Sequence, residues 1–123
     1  MSAGPDHGGE IELEELQRRL DEVVVVDVRH AGEYEGKLGY PCDPRQGHIP
    51  GARHLDLDEL LMMGEEEVRA WLSLSDGAEI VLYCHSGSRS RFAAQVLCGF
   101  GYEARNYVGS WHEWSQTELP IET

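Results

Sequence analysis

The sequence predicts an α/β fold in which a mainly parallel sheet carries helices on both faces. Three observations predict it. Residues 23–28 read Val-Val-Val-Val-Asp-Val, a β-branched run without polar alternation, which marks a strand covered on both sides. A second aliphatic run, Ile80-Val81-Leu82-Tyr83, leads through a Gly/Ser loop into a segment of helical period. Helix-type and strand-type segments then alternate along the rest of the chain, the order that crossover connections of a parallel sheet require.

Each element has its own justification. Residues 1–9 hold Gly4, Pro5, Gly8 and Gly9 with no apolar period, and are expected to be a flexible tail before a single domain at 10–123. Leu13, Leu16 and Leu20 fall at i, i+3 and i+7 with charge between them, which predicts a short amphipathic helix. The strand at 23–28 follows. A short strand is expected at 53–57, then helices at 58–63 and 65–74, the second burying Val68, Trp71 and Leu72. Ser75-Asp76-Gly77 is a turn before the strand at 79–83. A helix opening at about Ser90 offers Ala93, Ala94, Val96 and Leu97 to the core and is stopped by Gly99 and Gly101. Residues 104–108 make a last strand, and Trp111 and Trp114 share one helical face, a spacing typical of packing.

Charge excludes several functions. Ten Lys and Arg against 23 Asp and Glu give −13, a body that repels a phosphate backbone, so no nucleic-acid partner is expected. The longest wholly aliphatic run is far shorter than the ~20 residues of a membrane span, and no membrane partner is expected. No basic-then-apolar leader opens the sequence, and the three cysteines, Cys42, Cys84 and Cys98, cannot all pair, which points to a reducing cytoplasm.

The chemistry concentrates where a ligand site of an open α/β sheet is expected, beyond the carboxyl end of a strand where a helix begins. There the chain reads Cys84-His85-Ser86-Gly87-Ser88-Arg89-Ser90-Arg91. Loop N–H groups can converge on the sulfur, the helix N-terminus adds about half a positive charge, and Arg89 and Arg91 add cations nearby. Each favours thiolate over thiol. Gly87 permits the positive φ that curls a loop round one atom, while small Ser86 and Ser88 leave the amides accessible. The competing reading of Cys84 is a buried cysteine that merely ends a strand.

With these residues in view the chain resembles the rhodanese family of sulfurtransferases over nearly its whole length after Glu10. Val25-Val26-Asp27-Val28-Arg29 is similar to the family's hydrophobic-Asp-x-Arg strand, and Glu33-Tyr34 with Gly47-His48-Ile49-Pro50-Gly51-Ala52 to its amino-terminal motif. Cys84-x-x-Gly87-x-Arg89-Ser90 resembles the active-site loop, and the segment from Tyr107 to Trp114 the carboxy-terminal signature. The resemblance implies a five-stranded, mostly parallel sheet flanked by helices. It also implies covalent chemistry: the Cys84 thiolate takes the outer sulfur of thiosulfate or another persulfide or sulfane donor, becomes a persulfide, and is discharged by cyanide, a thiol or a sulfur-carrier protein. His85, Ser86, Gly87, Ser88, Arg89 and Ser90 are then the substrate-binding loop, with Arg89 helping to hold a dianionic donor. No cofactor is implied.

Two departures from the family pattern stand out. Residues 36–46 are longer than the usual connection by roughly ten residues, an expected surface insertion. Val108 occupies a position that is commonly acidic. The insertion carries Cys42, which could relay a sulfur or be an incidental loop cysteine whose thiolate Asp43 disfavours. Cys98 reads as core. Asp27 and Arg29 read as a structural ion pair, and His48 as a backbone-bonding residue at the turn through Gly51. His85 could tune the loop or face outward. No two of the six histidines share ligand-like spacing, so no metal is expected.

Two other functions compete with sulfur transfer. A cysteine phosphatase or arsenate reductase needs Cys-x5-Arg, whereas here Arg89 stands at +5, Ser90 at +6 and Arg91 at +7, a loop sized for sulfur rather than a phosphate ester. A non-catalytic binding module is disfavoured by the intact Cys84, Gly87 and Arg89.

Overall fold

A computed structural model describes residues 9–123. All but the last residue of the expected tail therefore lies outside the described residues.

Five strands form one sheet in the order β1-β5-β4-β2-β3, where β1 is Glu10–Ile11, β2 Val24–Asp27, β3 Arg53–His54, β4 Glu79–Tyr83 and β5 Glu103–Tyr107. Every pairing is parallel, with Val24 opposite Ile80 and Ile80 opposite Ala104 across the central three strands. The six helices among the described residues are α1 Leu13–Arg18, α2 Ala31–Tyr34, α3 Leu57–Met62, α4 Glu65–Leu72, α5 Ser88–Gly99 and α6 Ser110–Trp114. Among the described residues, no helix is long and apolar enough to cross a membrane.

The unbroken apolar runs have their explanation in the two cores. Successive side chains of a strand point to opposite faces. Val26, Ile80 and Leu82 face one core with α3, α4 and α5, through Leu60, Val68, Leu72, Ala93, Ala94 and Leu97. Val25, Val81 and Tyr83 face the other, with Leu16 of α1 and Trp111 and Trp114 of α6. Both faces of β2 and β4 are thus dry, as their composition requires.

Several boundaries differ from the sequence expectation. The two-residue β1 has no run of its own; it exists because β5 offers a free edge, pairing Glu10 with Asn106 and Ile11 with Tyr107. The strand expected at 53–57 ends at His54, since Asp56 turns to cap α3 by accepting from the Asp58 N–H at 2.9 Å. Helix α2 has no apolar period and is set by the Glu33 carboxylate, which accepts the His30 N–H at 3.2 Å. Helix α5 begins at Ser88, two residues before the expected start.

Candidate active site

Cys84 follows β4 directly, and 1% of it is exposed. Its main chain is clamped from the opposite segment. The Cys84 N–H donates to Ser110 Oγ at 3.1 Å, and the carbonyls of Cys84 and His85 accept from the N–H groups of Trp111 and His112 at 2.9 and 3.0 Å. Ser110 takes a φ of +54°, and its hydroxyl donates to the Tyr107 carbonyl at 2.8 Å, which holds this uncommon conformation.

The loop then curls round the sulfur. The Gly87 N–H reaches Sγ at 3.1 Å, and the Ser90 N–H at 3.4 Å, with the Ser90 hydroxyl 3.3 Å away. Gly87 has φ +101°, and a Cβ there would meet the Val108 carbonyl oxygen at 2.9 Å, so both conformation and space demand glycine. Burial pushes the Cys84 thiol up, but the Ser90 hydroxyl and the N–H groups of Ser90, Gly87 and Ser86 outweigh it and bring the thiol below its ordinary value.

Ser90 has one hydroxyl proton and two acceptors, Cys84 Sγ and Asn106 Oδ1 at 2.6 Å. A neutral thiol can donate to Ser90 Oγ and leave that proton on Asn106, whereas a thiolate draws it to sulfur. Asn106 also donates from Nδ2 to the Gly87 carbonyl at 3.0 Å, so it secures both sides of the loop from β5. Nothing in its sequence surroundings marks it, because the link exists only once β5 lies beside β4.

Arg89 is placed differently from the expected free cation. Its guanidinium pairs with Glu33 of α2 at 3.2 Å, and the Glu33 side chain is 9% exposed. Burial pushes the Glu33 carboxyl up, and Arg89 more than offsets this, so the net direction is down and the pair is charged yet neutral in sum. Arg91 lies on the exposed side of α5, beside Gly9 and Glu10. Arg53 caps the end of α4 by donating to the Leu72 and Trp71 carbonyls at 2.9 and 2.5 Å. Positive potential at the sulfur therefore rests chiefly on loop amides and the start of α5.

The remaining motif residues form the frame. Asp27 and Arg29 are 0% and 1% exposed and meet at 2.7 Å; Arg29 also donates to the Gly47 carbonyl and sits 5.0 Å from the centre of the Trp111 ring. His48 Nδ1 lies 2.7 Å from the Tyr34 carbonyl, with the two rings stacked at 3.7 Å. Gly51, at φ +80°, supplies the turn closed by the Ala52 N–H on the Ile49 carbonyl.

Residues 36–46 return over the site and dock on α6, where Trp111 Nε1 donates to the Arg45 carbonyl at 3.0 Å and Arg45 to the Ser115 carbonyl at 3.1 Å. His85 faces this segment rather than solvent. Its ring stacks on Tyr40 at 3.7 Å and meets His112 edge-on at 5.4 Å. Cys42, Asp43, His85 and His112 thus come together, a group drawn from three separated stretches that spacing along the chain could not show. None of the three cysteines is in a disulfide, and Cys98, with its sulfur against the Ala104 carbonyl, packs at the edge of the core.

The chain matches the family of rhodanese-like domains over residues 12–117. It belongs to that family. A thiosulfate sulfurtransferase of Corynebacterium glutamicum is 38% identical over 117 residues, covering 82% of this chain and 38% of that protein. A crystal structure described as a probable thiosulfate sulfurtransferase superposes with a TM-score of 0.82 at 39% identity, over 99% of this chain and 50% of that one. The human single-domain sulfurtransferase TSTD1 superposes with a TM-score of 0.68 at 29% identity, over 95% of this chain and 100% of that one. The rhodanese-like chain thus spans half or less of the first two relatives and the full length of the third. Its five-stranded parallel sheet and six helices are the fold that the family resemblance implies.

Proposed function

We propose that this rhodanese-like protein transfers sulfane sulfur through a persulfide on Cys84. The observation that carries the reading is the ring of donors on Cys84 Sγ from Gly87 and Ser90, which is centred on the sulfur atom itself. Such a ring stabilises a thiolate before reaction and an anionic persulfide after it.

In the first half-reaction the Cys84 thiolate attacks the outer sulfur of thiosulfate. The S–S bond within the donor breaks, its electron pair leaves on sulfite, and Cys84 carries one additional sulfur and one negative charge. In the second, an acceptor nucleophile attacks that terminal sulfur and the electron pair returns to Cys84 as thiolate. Cyanide leaves as thiocyanate, and a thiol or a sulfur-carrier protein leaves as its own persulfide. Another persulfide can replace thiosulfate as donor without changing the steps. Arg89 gives the donor's sulfonate a cationic partner as Glu33 is displaced or shared. Three cysteines outside any disulfide fit a reducing cytoplasm.

Intact-mass measurement after thiosulfate treatment tests this. The expected result is a gain of one sulfur on Cys84, sulfite released in equal amount, and loss of the added sulfur to cyanide, all absent in Cys84→Ser. No adduct on the wild-type protein overturns the proposal in favour of a binding module. Hydrolysis of p-nitrophenyl phosphate that depends on Cys84, without sulfite release, overturns it in favour of a phosphatase.

A further inference from the structure

Beside the catalytic loop, four side chains present metal-binding atoms to a common point. These are Cys42 Sγ, an Asp43 carboxylate oxygen, a His85 ring nitrogen and a His112 ring nitrogen, all within 4.8 Å of one another. Cys42 Sγ is 3.7 Å from Asp43 Oδ1 and 3.9 Å from His112 Nδ1. His112 Nδ1 is 2.8 Å from Asp43 Oδ1, and His85 Nε2 is 2.9 Å from Asp43 Oδ2. Bonds of about 2.3 Å to sulfur and about 2.0 Å to nitrogen or oxygen place the donors of a tetrahedral zinc centre roughly 3.3–3.7 Å apart. These four distances each differ from that geometry by about half an ångström or less.

A second observation points to a ligand. The Asp43 side chain is fully buried, yet Asp43 Oδ2 and His85 Nε2 both lack a hydrogen-bond partner. They face each other at 2.9 Å without the alignment a hydrogen bond requires. They make an ion pair only if His85 is protonated; beside a neutral imidazole two buried polar atoms are left poorly satisfied, and a cation that takes both lone pairs removes that cost.

The scaffold is rigid where it needs to be. Pro41 and Pro44 bracket Cys42-Asp43, and the Asp43 N–H closes a turn on the Tyr40 carbonyl at 3.0 Å. The Tyr40 ring fixes the plane of His85 by stacking, and the His112 N–H on the His85 carbonyl ties the two imidazoles to one frame.

We propose that Cys42, Asp43, His85 and His112 form a zinc site that clips the 36–46 segment to the rim of the catalytic loop. On binding, Cys42 loses its proton to solvent and coordinates as thiolate, Asp43 binds as carboxylate, and both histidines bind as neutral imidazoles. The Nδ1–H of His112 moves to Nε2, which frees Nδ1 for the metal, and the exposed Gln116 amide nitrogen that faces Nε2 at 3.1 Å turns away. One Zn²⁺ then balances one thiolate and one carboxylate, so no net charge is buried. Four protein ligands close the coordination sphere, which makes the site structural rather than a source of activated water. This does not depend on sulfur transfer at Cys84.

The test uses the full chain carrying Cys84→Ser, which removes the catalytic thiolate as a competing ligand, titrated with Zn²⁺ and with Co²⁺ as a spectroscopic probe. The expected result is one Zn²⁺ per chain, a raised Tm, and with Co²⁺ the visible bands of a tetrahedral centre plus a thiolate-to-cobalt band in the near ultraviolet. Adding Cys42→Ser removes the thiolate band, and Cys42→Ser or His112→Gln weakens Zn²⁺ binding by at least about 100-fold, more than loss of a supporting hydrogen bond would do. Circular dichroism of each variant confirms that it is folded. No Zn²⁺ uptake by the Cys84→Ser chain overturns the proposal. So does a thiolate-to-cobalt band that survives Cys42→Ser.

Discussion

At the scale of single residues, the Ser90 hydroxyl is one of several donors that bring the Cys84 thiol below its ordinary value, and it is the one that can be removed without touching the main chain. Ser90→Ala returns the thiol toward its ordinary value. Alkylation of Cys84 by iodoacetamide at neutral pH is expected to slow by about tenfold, the worth of one hydrogen bond to a charged group at roughly 1.5 kcal/mol. An unchanged rate would mean that the main-chain N–H groups suffice. Gly87→Ala forces a side chain into φ +101° and against the Val108 carbonyl. It is expected to cost about 1–3 kcal/mol in urea unfolding and most of the sulfur-transfer rate, because the N–H aimed at the sulfur is displaced. Glu33→Gln acts in the opposite direction on the donor. It releases Arg89 from its carboxylate partner, so KM for thiosulfate should fall several-fold while kcat is held. A rise in KM would show that Glu33 orients Arg89 rather than occupying it.

Among the elements, two ion-pair groups have different roles. Asp27 and Arg29 join the end of β2 to the Gly47 carbonyl and the Trp111 ring, wholly out of water. Asp27→Ala leaves a buried guanidinium without its partner and is expected to destabilise by about 3–5 kcal/mol, read from the urea midpoint. The second group is on the surface, where Arg105 and Arg19 bridge Glu15 of α1 and Glu79 of β4. Hydrogen bonds from Arg105 and Arg19 bring the Glu15 carboxyl down to about 2, against 4.5 for the unperturbed group, and Glu79 is lowered in the same direction, chiefly by Arg19. A carboxyl lowered by folding stabilises above its unfolded value, and that stability is lost as pH falls toward the folded value. Glu15→Gln should therefore lower stability near pH 7 and make little difference once the carboxyl is protonated in both states, with the change falling between about pH 4.5 and 2. Solvent screening keeps the effect small, and added salt should shrink it further.

At the scale of the whole molecule, a net charge of −13 surrounds a site for which an anionic donor is proposed. The local amides, the start of α5 and the shared charge of Arg89 oppose the global field over a short range. kcat/KM for thiosulfate is expected to vary only modestly with ionic strength, and a steep rise on adding salt would show that the acidic body governs encounter.

Much of this architecture is legible in the sequence because it depends on local pattern. The aliphatic runs of β2 and β4 name the strands that are dry on both faces, and Cys84-x-x-Gly87 after β4 names the loop, since a strand, a positive-φ glycine and a helix start are properties of neighbours in sequence. Other features need the tertiary structure. Asn106 supports Ser90 and Gly87 only because β5 pairs with β4, and β1 exists only because β5 has an edge to fill. Glu33 reaches Arg89 across the mouth of the sheet, turning an expected free cation into half of a pair. Cys42, Asp43, His85 and His112 look unrelated along the chain and converge because the 36–46 segment folds back on α6. The sequence by itself determined the fold class and singled out Cys84 as the candidate nucleophile, through hydrophobic period and loop chemistry within a few residues. The tertiary structure decided the partners of Cys84 and the cluster beside it, because hydrogen bonds and side-chain clusters depend on distances that no spacing along the chain encodes.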